Sequence, residues 1–303
     1  MMSACLRTLK GCISLFLYAV NLLFCGGAIL IIFLFCCLIP IKSWRFATQK
    51  NLLQKMPAVY GYLNHCIMMI STNDKWDILG KGELQAEQSY VMLSNHRSWI
   101  DILILNSVFT GRTPPLKFFM KKELLWQLPL AGIACYALGF PFMSRHSHAE
   151  IRKNPQLKGK DIETTKKSCF RLRRFPSTLI NFLEGTRFTE QKKERQQSPF
   201  KHLLKPHAGG VAVVIQELHD VLAGVISVVI CYPKKVPNLW EFSCGRFDKI
   251  VVRYELLPIT PEMIGDYYQD RNFRSDLQQW LNTIWQKNDA LIEKIHNDAN
   301  KDD

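Results

Sequence analysis

Asn95-His96-Arg97-Ser98-Trp99-Ile100-Asp101 lies between two apolar runs, and its reading decides the fold. Before it, Tyr90-Val91-Met92-Leu93 is apolar without interruption, as in a short strand buried on both faces. After it, Ile102-Leu103-Ile104-Leu105 reads as the start of a helix. A histidine at a strand-to-helix turn, with a carboxylate five residues on, is what a general base and its orienter need.

Working outward, strand signals recur at 89–93, 116–120, 139–143, 178–182, 222–230 and 249–257. Helical patterns separate several of them. The segment 122–137 carries Leu124, Leu125, Leu128 and Ile133, with Pro129 set to kink or end it. The segment 161–174 has acids in its first turn and bases later, matching the helix dipole. Residues 206–219 start with Pro206 and place Val211, Val214, Ile215 and Leu218 on one face. Residues 42–75 form a connector with Tyr60, Leu63, Ile67 and Ile70 at helical spacing, and a packing helix is expected at about 275–295. The expected class is therefore α/β: a single domain with a mostly parallel central sheet flanked by helices.

No charged residue occurs from Gly11 to Ile41. As one helix this run is ~45 Å long against a hydrocarbon core of ~30 Å, so it spans with tilt. A break at Gly26-Gly27 instead gives two arms too short to span, a re-entrant hairpin. Either way, residues 1–45 read as a membrane anchor and 46–303 as the main domain. Lys42, Arg45, Lys50 and Lys55 after the run outnumber Arg7 and Lys10 before it, which places the main domain on the cytoplasmic side. In a bacterium that is the inner membrane. The net charge of +13 calls for an anionic partner. The ten cysteines form no Cys-x-x-Cys pair and read as reduced, partly core thiols.

His96 and Asp101 admit two readings. Five residues apart on one continuous helix they would face different ways. With His96 in the turn and Asp101 in the first helical turn they can meet, as a general base and its orienter. Alternatively, Ser98-x-x-Asp101 is a capping box and His96 a loop histidine. No Gly-x-Ser-x-Gly is present, so a substrate hydroxyl is favoured as nucleophile over a side chain.

Three strand ends carry cations: Lys121 and Lys122, Arg145, and Arg187. Arg187 closes Phe182-Leu183-Glu184-Gly185-Thr186-Arg187, where the glycine permits close approach and the guanidinium suits a phosphate. Lys192, Lys193, Arg195, Lys201 and Lys205 follow as a solvated loop or a contact with anionic lipid.

Together these stretches resemble the glycerolipid acyltransferases typified by 1-acylglycerol-3-phosphate O-acyltransferase. Asn95, His96 and Asp101 match that family's Asn-His-x-x-x-x-Asp. Gly139, Phe142 and Arg145 match Gly-x-x-Phe-x-x-Arg, and Phe182 with Glu184 to Arg187 matches Phe-x-Glu-Gly-Thr-Arg. Lys121, Glu123 and Leu124 match Lys-x-Glu-Leu, and a fourth, proline-bearing strand corresponds loosely to 222–233. The resemblance implies that 46–303 is an acyltransferase domain and that His96, oriented by Asp101, deprotonates a lysophospholipid hydroxyl. It implies that Lys121, Arg145 and Arg187 hold the acceptor phosphate, with Glu184, Gly185 and Thr186 shaping that site. The implied donor is acyl-CoA or acyl-carrier protein, the leading acceptor is 1-acylglycerol-3-phosphate, and no metal or cofactor is required. The expected partners are membrane lipids and these substrates, not nucleic acid.

Overall fold

A computed structural model describes residues 4–72, 75–143, 163, 166, 167, 169, 170 and 172–301. The helices are α1 (Ala4–Leu38), α2 (Lys42–Asn51), α3 (Met56–Thr72), α4 (Ile100–Phe109), α5 (Leu124–Gln127), α6 (Pro129–Ala137), α7 (Glu190–Gln196), α8 (Gly209–Leu218), α9 (Leu239–Ser243) and α10 (Arg271–Ala299). The strands are β1 (Trp76–Lys81), β2 (Ser89–Ser94), β3 (Leu116–Phe118), β4 (Met120–Lys121), β5 (Phe142–Met143), β6 (Thr178–Phe182), β7 (Leu222–Cys231) and β8 (Ile250–Leu257).

Six strands form one sheet in the order β1-β8-β7-β2-β6-β3. Every pairing is parallel except β7 with β8. β2 lies in the middle, which explains its unbroken apolar run. Val91 and Leu93 pack on one side with α8 and with Leu277, Leu281 and Trp285 of α10. Tyr90 and Met92 pack on the other with Ile100, Ile104 and Phe109 of α4 and Met68 of α3. A strand buried on both faces needs apolar residues at every position. The α/β class with a mostly parallel sheet is as expected.

Four local expectations change. β1 escaped the sequence reading because it is an edge strand with Asp77, Gly80 and Lys81 breaking its pattern. The strand expected at 116–120 splits into β3 and β4, and 139–143 shrinks to β5, which pairs with β4 in a separate two-stranded ladder. Lys121 therefore ends a strand outside the central sheet. Helix α8 begins at Gly209, leaving Pro206 outside it, while Pro129 does end α5 and opens α6. The expected helix at 161–174 falls largely outside the described residues.

Helix α1 runs straight through Gly26-Gly27, so no re-entrant hairpin forms. Gly26 serves close packing: a Cβ there would lie 3.0 Å from Leu130 of α6. The helix is fastened to the rest of the chain along its length. Thr8 accepts from Arg246, Ser14 bonds to Ser71 at 3.1 Å, and Asn21 donates to Asn64 at 2.8 Å. Cys36 is buried near its far end. The outer face carries exposed Phe16, Leu23, Phe24, Ile31, Leu34 and Phe35. All ten cysteines are free, as expected.

Candidate active site

The turn after β2 is built from its backbone amides. Asn95 is buried and bonds both backbone groups of Ile230, accepting from its N–H at 2.8 Å and donating to its carbonyl at 2.9 Å. That pair ties the end of β2 to β7 and fixes where the next residue emerges. His96 then points its Nδ1 at Oδ2 of Asp101, 2.8 Å away. Asp101 is fully buried in the first turn of α4. Its Oδ2 also accepts from the N–H groups of Arg97 at 2.6 Å and Ser98 at 2.8 Å. Its Oδ1 accepts from the Tyr232 hydroxyl at 2.6 Å.

The capping-box alternative is half realised. Asp101 reaches back to the Ser98 amide as the third residue of such a box does, but Ser98 Oγ accepts from Ile100 rather than Asp101. The same carboxylate both closes the turn and holds His96. A carboxylate accepts only, so Nδ1 of His96 carries the proton and Nε2 is left as the basic nitrogen. The imidazole stacks on Phe182 at 4.0 Å between centroids and its side chain is 14% exposed. Among the described residues no serine, threonine or cysteine hydroxyl or thiol bonds to it.

The second strand end, after β6, lies directly beside this turn. Phe188 donates its N–H to the His96 carbonyl at 2.8 Å. Gly185 has φ +65°, the left-handed backbone that glycine adopts at least cost. Arg187 lies over the exposed Trp99 ring, 4.9 Å from its centroid. Lys192 of α7 bonds Thr186 Oγ1 at 2.7 Å and the Arg187 carbonyl at 2.8 Å, fastening the turn from outside. Lys121 is exposed on β4, and Arg145 lies outside the described residues.

Glu184 lies on the buried side of this turn. It is 1% exposed, its Oε1 accepts from the His96 N–H at 3.4 Å, and its Oε2 makes no hydrogen bond. Burial pushes its carboxyl up to about 8, against the His96 and Leu204 amides that pull it down. A carboxyl inside the wall behind His96 shapes the turn, the part expected of it with Gly185 and Thr186. Because its proton is retained in the folded chain above the ordinary carboxylate range, the associated stability is present at acid pH and declines as pH rises from about 4.5 through about 8. Glu184→Gln is expected to flatten that decline in a melting-temperature series from pH 5 to pH 9. Parallel curves for the two proteins would refute the buried neutral carboxyl.

Tyr232 was not singled out by the sequence reading. It is fully buried, and its phenol is pushed well above the ordinary value by burial and by the Asp101 charge. It stays a neutral donor to Asp101. Its only trace in the sequence is the Tyr232-Pro233 pair that closes the β7 run.

The acyltransferase family model matches residues 75–231, from the start of the sheet to the end of β7. This chain belongs to the acyltransferase family. It is 28% identical over 216 residues to 1-acyl-sn-glycerol-3-phosphate acyltransferase 3 of Arabidopsis thaliana, covering 65% of this chain and 54% of that protein. It is 22% identical over 249 residues to 2-acyl-1-lysophosphatidylinositol acyltransferase of Saccharomyces cerevisiae, covering 68% of this chain and 61% of that protein. The chain thus spans little more than half the length of these relatives. The crystal structure of the 1-acyl-sn-glycerophosphate acyltransferase PlsC from Thermotoga maritima superposes with a TM-score of 0.54 over 95% of both chains at 15% identity, a likeness of fold. The family membership expected from the motifs is borne out.

Proposed function

We propose that this acyltransferase moves a fatty acyl group from a thioester, acyl-CoA or acyl-carrier protein, to the free hydroxyl of a lysophospholipid. The leading acceptor is 1-acylglycerol-3-phosphate, giving phosphatidate. The observation that carries the reading is the 2.8 Å bond from His96 Nδ1 to a buried Asp101, with Arg187 set on the adjoining turn.

The chemistry follows from those positions. Nε2 of His96 takes the acceptor's hydroxyl proton as its oxygen bonds to the thioester carbonyl carbon. Asp101 holds the imidazole in register and stabilises the imidazolium. The tetrahedral adduct collapses, the carbon–sulfur bond breaks, and the thiolate takes the proton back from His96. No covalent enzyme intermediate is needed, in keeping with the absence of a nucleophile beside His96 among the described residues. Neither a metal nor a bound cofactor enters these steps.

Arg187 and Lys121, with Arg145, are assigned to the acceptor phosphate. The Trp99 ring supports the Arg187 guanidinium from one face and leaves its donors for an anion. Arg187→Ala should lower kcat/KM on lysophosphatidate by about tenfold or more, the worth of one charge-assisted bond at ~1.5–3 kcal/mol. A neutral monoacylglycerol tested alongside should lose less than threefold. Equal losses on both acceptors would overturn the phosphate role. The yeast relative acts, by its name, on a lysophosphatidylinositol, and acceptors with a substituted phosphate form the second candidate class.

The apolar outer face of α1 supports attachment to a membrane. The helix is packed on the domain from Thr8 to Cys36 and is also long and apolar enough to cross a bilayer, which suits a membrane anchor. The basic residues of 42–55 then meet lipid headgroups, and the domain faces the cytoplasm.

A further inference from the structure

Helix α10 lies outside the 75–231 family match and was expected only to pack. Its apolar stripe does pack, through Leu277, Leu281 and Trp285. Its polar C-terminal half does something else: it reaches the loops on both sides of Asp101.

On one side, Asp289 accepts from the backbone amides of Lys201 at 2.8 Å and His202 at 2.7 Å. Glu293 holds Lys201 Nζ at 2.7 Å and His202 Nε2 at 2.5 Å, and these two bonds keep its carboxyl down at about 2. The His202 carbonyl accepts from Arg97 Nη1 at 3.0 Å, with the guanidinium 4.3 Å over the Phe188 ring. The amide of that same Arg97 donates to Asp101 Oδ2. On the other side, His296 donates from Nδ1 to the Pro233 carbonyl at 2.7 Å, next to the Tyr232 that holds Asp101 Oδ1. The His202 and His296 rings lie 5.0 Å apart, so the two arms join.

We propose that Asp289, Glu293 and His296 of α10 form a brace that positions Asp101, and through it His96. They are positioning residues, since none touches the reacting atoms. A helix kept for packing alone has no use for two carboxylates on loop amides and a lysine–histidine pair one step from the catalytic turn. Apart from the Lys201 ammonium, the links end on backbone groups or rings of the two loops that carry donors to Asp101. The proposal rests on the reading of His96 as the base.

The test is Glu293→Gln in the full-length protein, with Lys294→Gln, the next residue on the helix, as the control. Glu293→Gln should lower kcat about tenfold with KM for both substrates within twofold. The hydrogen-bonded His96 Nδ1 proton, followed by NMR, should exchange faster with solvent, and Lys294→Gln should change neither. A double variant with Arg97→Lys should lose little more than the worse single variant, because the two residues act in one chain without touching. Losses that multiply, or a lower melting temperature with kcat and proton exchange unchanged, would overturn the brace. Faster exchange in Glu293→Gln, with full turnover kept by His96→Ala, would leave the brace standing and remove the base assignment instead.

Discussion

His96→Ala is expected to lower thioester-dependent acylation by about 10²- to 10⁴-fold, the usual worth of a positioned general base. The chain should still fold. His96 contributes one stacking contact with Phe182 and one bond to Asp101, and its side chain is partly exposed. The melting temperature should move by only a few degrees, and association with lipid vesicles should persist, because α1 and the 42–55 bases lie apart from this change. Turnover within threefold of the wild type would show that another group removes the proton.

Asp101→Asn is expected to be the more damaging change, since it strikes activity and stability together. Asp101 accepts four donors: the His96 ring, the Arg97 and Ser98 amides and the Tyr232 hydroxyl. Asparagine has one acceptor oxygen, and its NH₂ must face some of those donors. With its oxygen in the Oδ2 place it keeps three of those donors and turns its NH₂ to the Tyr232 hydroxyl, whose lost bond costs roughly 1–3 kcal/mol in a buried setting. The imidazolium formed on proton transfer also loses the negative charge that stabilises it, and the same exchange in the serine-protease triad costs about 10⁴ in kcat. The expected result is a melting temperature several degrees lower and a kcat loss of about 10³ to 10⁴ with KM little changed. A variant that melts lower yet turns over normally would make Asp101 a helix-turn residue only.

The central strands and the His96–Asp101 pair were legible because their signals are local. β2, β6 and β7 are buried on both faces, so their apolar runs carry the sheet into the sequence directly. The His–Asp separation demanded a turn at one end and a helix at the other, and that is the arrangement found. β1 was not legible, because an edge strand need not be apolar throughout. Gly26-Gly27 read as a break from composition, yet Gly26 answers to a neighbour, Leu130, that a local reading does not see. Tyr232 lies 131 residues from the Asp101 it supports, and Glu293 lies 91 from His202. Such contacts are set by the tertiary fold. The burial of Glu184 was likewise not legible, because the packing that encloses its carboxyl comes from the fold and not from its neighbours in sequence.

The most direct measurement gives purified, vesicle-bound protein lysophosphatidate and a long-chain acyl-CoA and follows lipid product by mass and released thiol together. Phosphatidate and free CoA should appear in equal amounts, and both should vanish in His96→Ala. Thiol released without acylated lipid, or full product from His96→Ala, would contradict the base and direct-transfer account.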